Sequence, residues 1–215
     1  MSPLNKASNH YNIFDLLWKN VRDIYFRMYL KSKGVESGNN VILKGRPVIC
    51  RFTGIIRIGN NVILRSHDYG YHTSIYAPVR LMTDTREDAM IEIGDNTRIN
   101  GASIHATEKI IIGRNCLIAS NATIIDSDGH GIIASERGSV NPVSSPVIIE
   151  DNVWIGMNTI ILKGVRIGMN SVIGAGSVVT KSIPPDCVAA GNPARIIKNI
   201  DNISEMIDER SNTSR

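Results

Sequence analysis

The sequence predicts an all-β solenoid, a parallel β-helix wound from six-residue repeats, with an α-helix ahead of it. Three observations carry that expectation. Aliphatic residues return every sixth position at Ile155, Ile161, Ile167, Ile173 and Val179, a period matching neither a helix nor an alternating strand. A second, usually smaller residue sits two positions earlier, as at Val153, Thr159, Val165, Ser171 and Ser177. Gly follows the aliphatic residue at 58–59, 93–94, 112–113, 155–156, 167–168 and 173–174, where the chain must turn. Each hexad is then one short strand and one corner, and three hexads close a triangular coil of about eighteen residues. A coil covers only its neighbours, so the array is stable only as a stack.

Residues 1–34 form the leading segment, with a helix expected over 12–33. Ile13, Leu16, Leu17, Val21, Ile24, Tyr25 and Met28 recur at spacings of three and four. Asn12 with Asp15 resembles an N-cap pair, and Lys31 and Lys33 before Gly34 suit a C-terminus. Arg22, Arg27, Lys31 and Lys33 make the helix basic. It suits packing against the main domain or a neighbouring subunit, or peripheral contact with an anionic membrane surface. The repeats occupy 35–198. Ile58 and Leu64 open them, Ile93 and Ile99 follow, and a one-residue insertion precedes Ile112, Ile118 and Ile124. Ile149 then leads into the regular run. Irregular segments at about 65–90 and 126–146 interrupt the coils, and loops thrown from a rigid scaffold are where binding and catalysis gather. Residues 199–215 form a tail, with a short helical extension expected there.

Composition narrows the class. With 42% hydrophobic and 20% charged residues, the 215-residue chain has the balance of a soluble globular domain. A net charge of +4 is too mild to argue for nucleic acid. Cys50, Cys116 and Cys187 are far apart, against a disulfide scaffold or a structural zinc site, and they fit a reducing compartment. Cys116 falls at an inward repeat position, the place of a small core residue. The first apolar segment, 13–30, is interrupted by Lys19, Arg22, Asp23 and Arg27 and cannot span a bilayer. No signal peptide is evident, and a cytoplasmic location is expected.

The strings "ATIIDSDGH" (122–130), "VIIEDNVWIGMNTIILKGVRIGMNSVIGAGSVVTKSIPP" (147–185) and "AAGNPARIIK" (189–198) resemble the hexapeptide-repeat acyltransferases. The likeness is nearest to the galactoside, maltose and polysaccharide O-acetyltransferases and the xenobiotic acetyltransferases. It covers roughly 35–198 and is stronger in the second half. The resemblance implies a left-handed coil, an exception to the usual right-handed crossover. It also implies acetyl-CoA as donor, a carbohydrate hydroxyl as acceptor, a homotrimer with sites between prisms, and no metal. Capsule, exopolysaccharide or lipopolysaccharide precursor assembly is the implied setting.

The residues can carry that chemistry. An alcohol attacks a thioester only once it loses its proton, and a histidine takes that proton near neutral pH. His130, ending "DSDGH" where the coil breaks, matches the family's catalytic base. Asp126 and Asp128 stand near it; either could orient the imidazole or simply turn the loop, with Asp128 the stronger candidate. Asn100 in "RINGAS" matches a family asparagine at the acceptor. Trp154 faces outward if Val153 and Ile155 face in, placing an indole at a cleft or subunit interface. By resemblance Gly156, Met157, Gly174 and Ala175 contact the pantetheine arm, followed by Thr180 and Lys181. Lys181, Arg195 and Lys198 suit the nucleotide phosphates. Two rival readings use the same prism. One is N-acetylation of an amino-sugar nucleotide. The other is a gamma-carbonic-anhydrase-like zinc enzyme, in which His67, His72 and His105 would be the ligands.

Overall fold

The computed structural model describes residues 13–138 and 142–200. Twenty short strands follow one helix and assemble into three sheets of six, eight and six strands. Through the first eighteen strands the chain passes from one sheet to the next, each sheet taking every third strand. The last two strands both join the second sheet, and their mutual pairing is the one antiparallel pairing among the strands. The result is a triangular prism. Its first face runs from Glu36–Ser37 to Arg166–Ile167, its second from Ile42–Lys44 to Ala194–Asn199, and its third from Val48–Arg51 to Val178–Val179.

The hexad residues build its core. Ile155, Ile161, Ile167, Ile173 and Val179 have no exposed surface. Ile118 and Ile124 match them in the coil before. At about 1.5–3 kcal/mol for each fully buried Ile or Val, this interior column is the main favourable contribution to folding. The smaller second positions also point inward, and their hydroxyls find partners. Ser171 Oγ donates to Pro184 O at 2.8 Å, and Ser177 Oγ donates to Gly174 O at 2.6 Å. Buried hydroxyls satisfied in this way carry little of the penalty of an unpaired polar group.

The corner between the first and second faces is held by an asparagine ladder that periodicity alone does not reveal. Asn40, Asn61, Asn96, Asn115, Asn152 and Asn170 all have positive φ, a conformation Asn tolerates better than most residues. Each amide donates to the carbonyl oxygen of the next, from Asn40 to Asn61 at 3.2 Å through Asn152 to Asn170 at 3.0 Å. Asn170 closes the run on Asp186 Oδ1 at 2.7 Å.

Three segments add detail to the sequence reading. The stretch at 65–90 is not one insertion, because the strand Arg80–Thr83 inside it belongs to the third face and buries Leu81. Two loops remain, 66–79 at the second-to-third corner and 84–89 at the next. The extra residue before Ile112 sits at the corner Thr107–Glu108. There the buried Asp126 carboxylate accepts from the Thr107, Glu108 and Lys109 amides at 2.6–2.8 Å. The helix α1, Ile13–Ser32, covers the open end of the stack with its last turn. Leu30 is buried, and Tyr29 Oη donates to Pro47 O at 2.8 Å. Val21, Ile24, Tyr25 and Met28, expected on its packed face, are exposed in the single chain.

The proposed cap residue Asn12 lies outside the described residues. So do 201–215, where most of the C-terminal helical extension was expected. What precedes them is a hairpin, with Cys187–Gly191 antiparallel to Ala194–Asn199. Among the described residues no helix is long and apolar enough to cross a membrane.

Candidate active site

His130 sits in the loop 126–146, which leaves the third face and returns to the first. The two limbs of the loop are tied at its base by Asp128 N to Val143 O at 3.1 Å and Ser145 N to Asp126 O at 2.8 Å. Gly129, with φ of 72°, turns the chain just before the histidine; a side chain there would be strained. His130 Nδ1 lies 3.0 Å from Arg137 O. A carbonyl oxygen only accepts, so Nδ1 carries the proton in that bond, and in the neutral ring Nε2 is left with a lone pair.

Asp128, the candidate for orienting the ring, is drawn elsewhere in this structure. Its Oδ2 pairs with Lys163 Nζ, an ion pair drawn from the neighbouring coil. Asp126 is spent on the three backbone amides of the Thr107 corner. The partner of the imidazole is therefore a main-chain carbonyl, which no residue-type pattern discloses. Asp84, His105, Thr107, Ser127 and His130 line one open cavity of about 330 Å³ with the loop residues around Arg137.

A second cleft, also about 330 Å³, lies where the second face turns into the third. Trp154, Gly156, Met157, Gly174 and Ala175 all line it, together with Ala119, Val172 and Ile173. Trp154 is half-exposed and its indole faces outward, as the alternation requires. The track of small residues is set by backbone proximity: a Cβ on Gly156 would lie 2.5 Å from Ala175 N. Tyr71, His72 and Thr73 of the loop 66–79 form the other wall, a role the sequence did not offer, since it singled out only His72, and that for the zinc reading. That loop is fastened to the corner by Thr73 Oγ1 against Ser120 Oγ at 2.7 Å and Tyr76 N to Asn121 Oδ1 at 3.0 Å.

Lys181 and Arg195 line a further cavity with Ser182 and Ala194, past the last coil. Thr180 is exposed beside Lys181, and Lys198 pairs in register with Val188 on the hairpin. Asn100 stands apart from all three cavities. It is buried, and its Nδ2 donates to Ile118 O at 3.0 Å. His72 and His105, grouped in the zinc reading, line different cavities, and the described residues contain no cluster of three or more metal-ligating side chains. Cys116 is buried, and burial pushes its thiol up to about 11, far from a thiolate nucleophile at neutral pH.

Comparison with known proteins supplies the family. Residues 146–181 match the model for the bacterial transferase hexapeptide (six repeats). The galactoside O-acetyltransferase of Escherichia coli (strain K12) is 47% identical over 111 residues, 51% of this chain and 54% of that protein. The chain thus spans about half the length of the curated relatives it matches. A galactoside acetyltransferase solved in complex with coenzyme A is 33% identical, with 79% of this chain and 67% of that one covered and a TM-score of 0.53. A hexapeptide-repeat acetyltransferase of Vibrio cholerae O1 biovar eltor, solved with acetyl coenzyme A, is 34% identical over 55% of this chain and 63% of its own, with a TM-score of 0.50. Its sequence, its three-faced coil and these likenesses together place the chain among the hexapeptide-repeat acyltransferases, with their left-handed parallel β-helix.

Proposed function

We propose that the chain is an acetyl-CoA-dependent O-acetyltransferase of a carbohydrate hydroxyl, working as a cytoplasmic homotrimer in the assembly of a surface polysaccharide. The observation that carries this reading is the imidazole of His130, committed through Nδ1 to Arg137 O and lining an open cavity. Nε2 takes the proton of the acceptor hydroxyl as its oxygen attacks the thioester carbonyl. The tetrahedral intermediate collapses, the carbon–sulfur bond breaks, and the departing thiolate takes the proton back from the imidazolium. Products are the acetyl ester and free coenzyme A, with the histidine neutral again.

The donor reading is supported by coenzyme A in the solved relatives and by the convergence of Trp154, Gly156, Met157, Gly174 and Ala175 on one cleft. Lys181 and Arg195 stand further along for the nucleotide phosphates. On a single chain the cleft and the His130 cavity share no lining residue. A neighbouring copy, bringing its histidine to this cleft, completes the site. The test is mass spectrometry of a panel of glycosides and amino sugars incubated with acetyl-CoA. Ester formation on a sugar hydroxyl is expected; acetylation of nitrogen alone would overturn the O-transfer assignment.

A further inference from the structure

On the outer surface of the second face, cations stand side by side. Lys44 and Arg65 are direct partners on adjacent parallel strands, and Arg98 follows on the next strand, opposite Ile63. Like charges placed directly across a sheet repel. On the neighbouring face Arg57 and Arg166 pair with Glu36 and Glu150, and at the intervening corner Arg114 pairs with Asp151. Among the described residues Lys44, Arg65 and Arg98 form no ion pair. The Lys44 ammonium is held below its usual value by partial burial first, then by Arg65, Arg98 and Arg22. Arg65 is also fixed in place. The Arg65 guanidinium lies 4.9 Å from the Tyr71 ring centroid and donates to Tyr69 O at 3.3 Å.

The patch is continuous with the cleft. The register carries Lys44 to Arg65 to Asn100, and one residue beyond the paired isoleucines it continues through Ala119, Gly156 and Gly174. Strands lie about 4.8 Å apart, so Arg65 is about 14 Å from Gly156 and Arg98 about 10 Å from Trp154. We propose that Lys44, Arg65 and Arg98 bind the diphosphate of an activated acceptor, a sugar carried on a nucleotide or on a lipid. This rests on the acetyltransferase reading above. Three cations held across adjacent strands match a doubly charged group better than one carboxylate, which a single guanidinium fork satisfies. The distance leaves room for a sugar between the diphosphate and the donor cleft.

The probe is inorganic pyrophosphate, titrated calorimetrically into the full chain saturated with coenzyme A. Arg65→Ala and Arg98→Ala should each weaken its binding about tenfold or more, and Lys181→Ala should leave it unchanged. Unchanged coenzyme A affinity in the first two variants certifies their fold. Failure of pyrophosphate to bind, or binding indifferent to both arginines, overturns the patch while leaving the donor reading intact. Loss of coenzyme A binding in the parent protein, with pyrophosphate still held at the arginines, overturns the donor reading and keeps the patch. Displacement of pyrophosphate by uridine diphosphate points to a nucleotide carrier, and displacement by geranyl diphosphate to a lipid one. Displacement by neither removes the acceptor assignment.

Discussion

His130 and Arg137 meet through a bond of ring nitrogen to main-chain carbonyl, 3.0 Å long, across seven residues of one loop. Because the acceptor is backbone, the side chain of Arg137 is dispensable to the tautomer while the imidazole is not. His130→Ala should lower kcat about 10²–10⁴-fold with the fold and assembly intact. Arg137→Ala should leave kcat within a few-fold of the parent. Steady-state kinetics on both variants checks this; near-normal turnover by His130→Ala excludes the base.

The two aspartates upstream divide differently. Asp126 is fully buried and accepts three backbone N–H bonds. Asp126→Ala leaves those donors unpaired and should cost about 3 kcal/mol or more in a urea melt. Asp128 pairs with Lys163 at a partly exposed site, so Asp128→Asn should cost under about 1 kcal/mol. A drop in kcat by Asp128→Asn as deep as that of His130→Ala would return Asp128 to the imidazole.

The separation of the two cavities predicts complementation. Ala175 is exposed and lines the donor cleft, so Ala175→Trp fills that cleft without entering the core. Neither Ala175→Trp nor His130→Ala homotrimers should turn over. Trimers co-assembled from equal amounts should regain about a quarter of the parent activity, since each site draws one half from each of two neighbours in a cyclic assembly. No recovery in mixed trimers would place both halves on one chain.

The corner pair Arg114–Asp151 predicts a pH effect. Asp151 accepts the Arg114 guanidinium at 2.7 and 3.0 Å and the Arg114 backbone N–H at 2.7 Å, and these bonds hold its carboxyl below the usual carboxylate value. A depressed folded-state value stabilises the protein above the ordinary carboxylate range, and that contribution is lost as pH falls through the depressed value. The site is a surface one, so the effect should stay under about 1 kcal/mol. NMR titration of the Asp151 carboxyl should show the depression in the parent and its partial relief in Arg114→Ala. An identical titration in both breaks the link.

The hexad told almost everything about the core. Ile155, Ile161, Ile167, Ile173 and Val179 are buried because a six-residue period admits one repeating inward direction, whatever the residues around it. The family resemblance of the motifs from Trp154 to Ala175 singled out residues that the coil, stacking positions eighteen apart, brings to one cleft. The strand Arg80–Thr83 was hidden because loops flank it and no full hexad announces it.

What the linear order could not fix were the contacts made where the coils break. Arg137 reaches His130 through a carbonyl that every residue possesses. Lys163 takes Asp128 from another coil, and Tyr71 closes a wall built by strands far along the chain. Local periodicity decided the sequence-legible part because it repeats the same burial energy at every turn of the prism. The irregular loops have no such repetition, so their bonds were settled only by which backbone and charge the folded coils bring within reach.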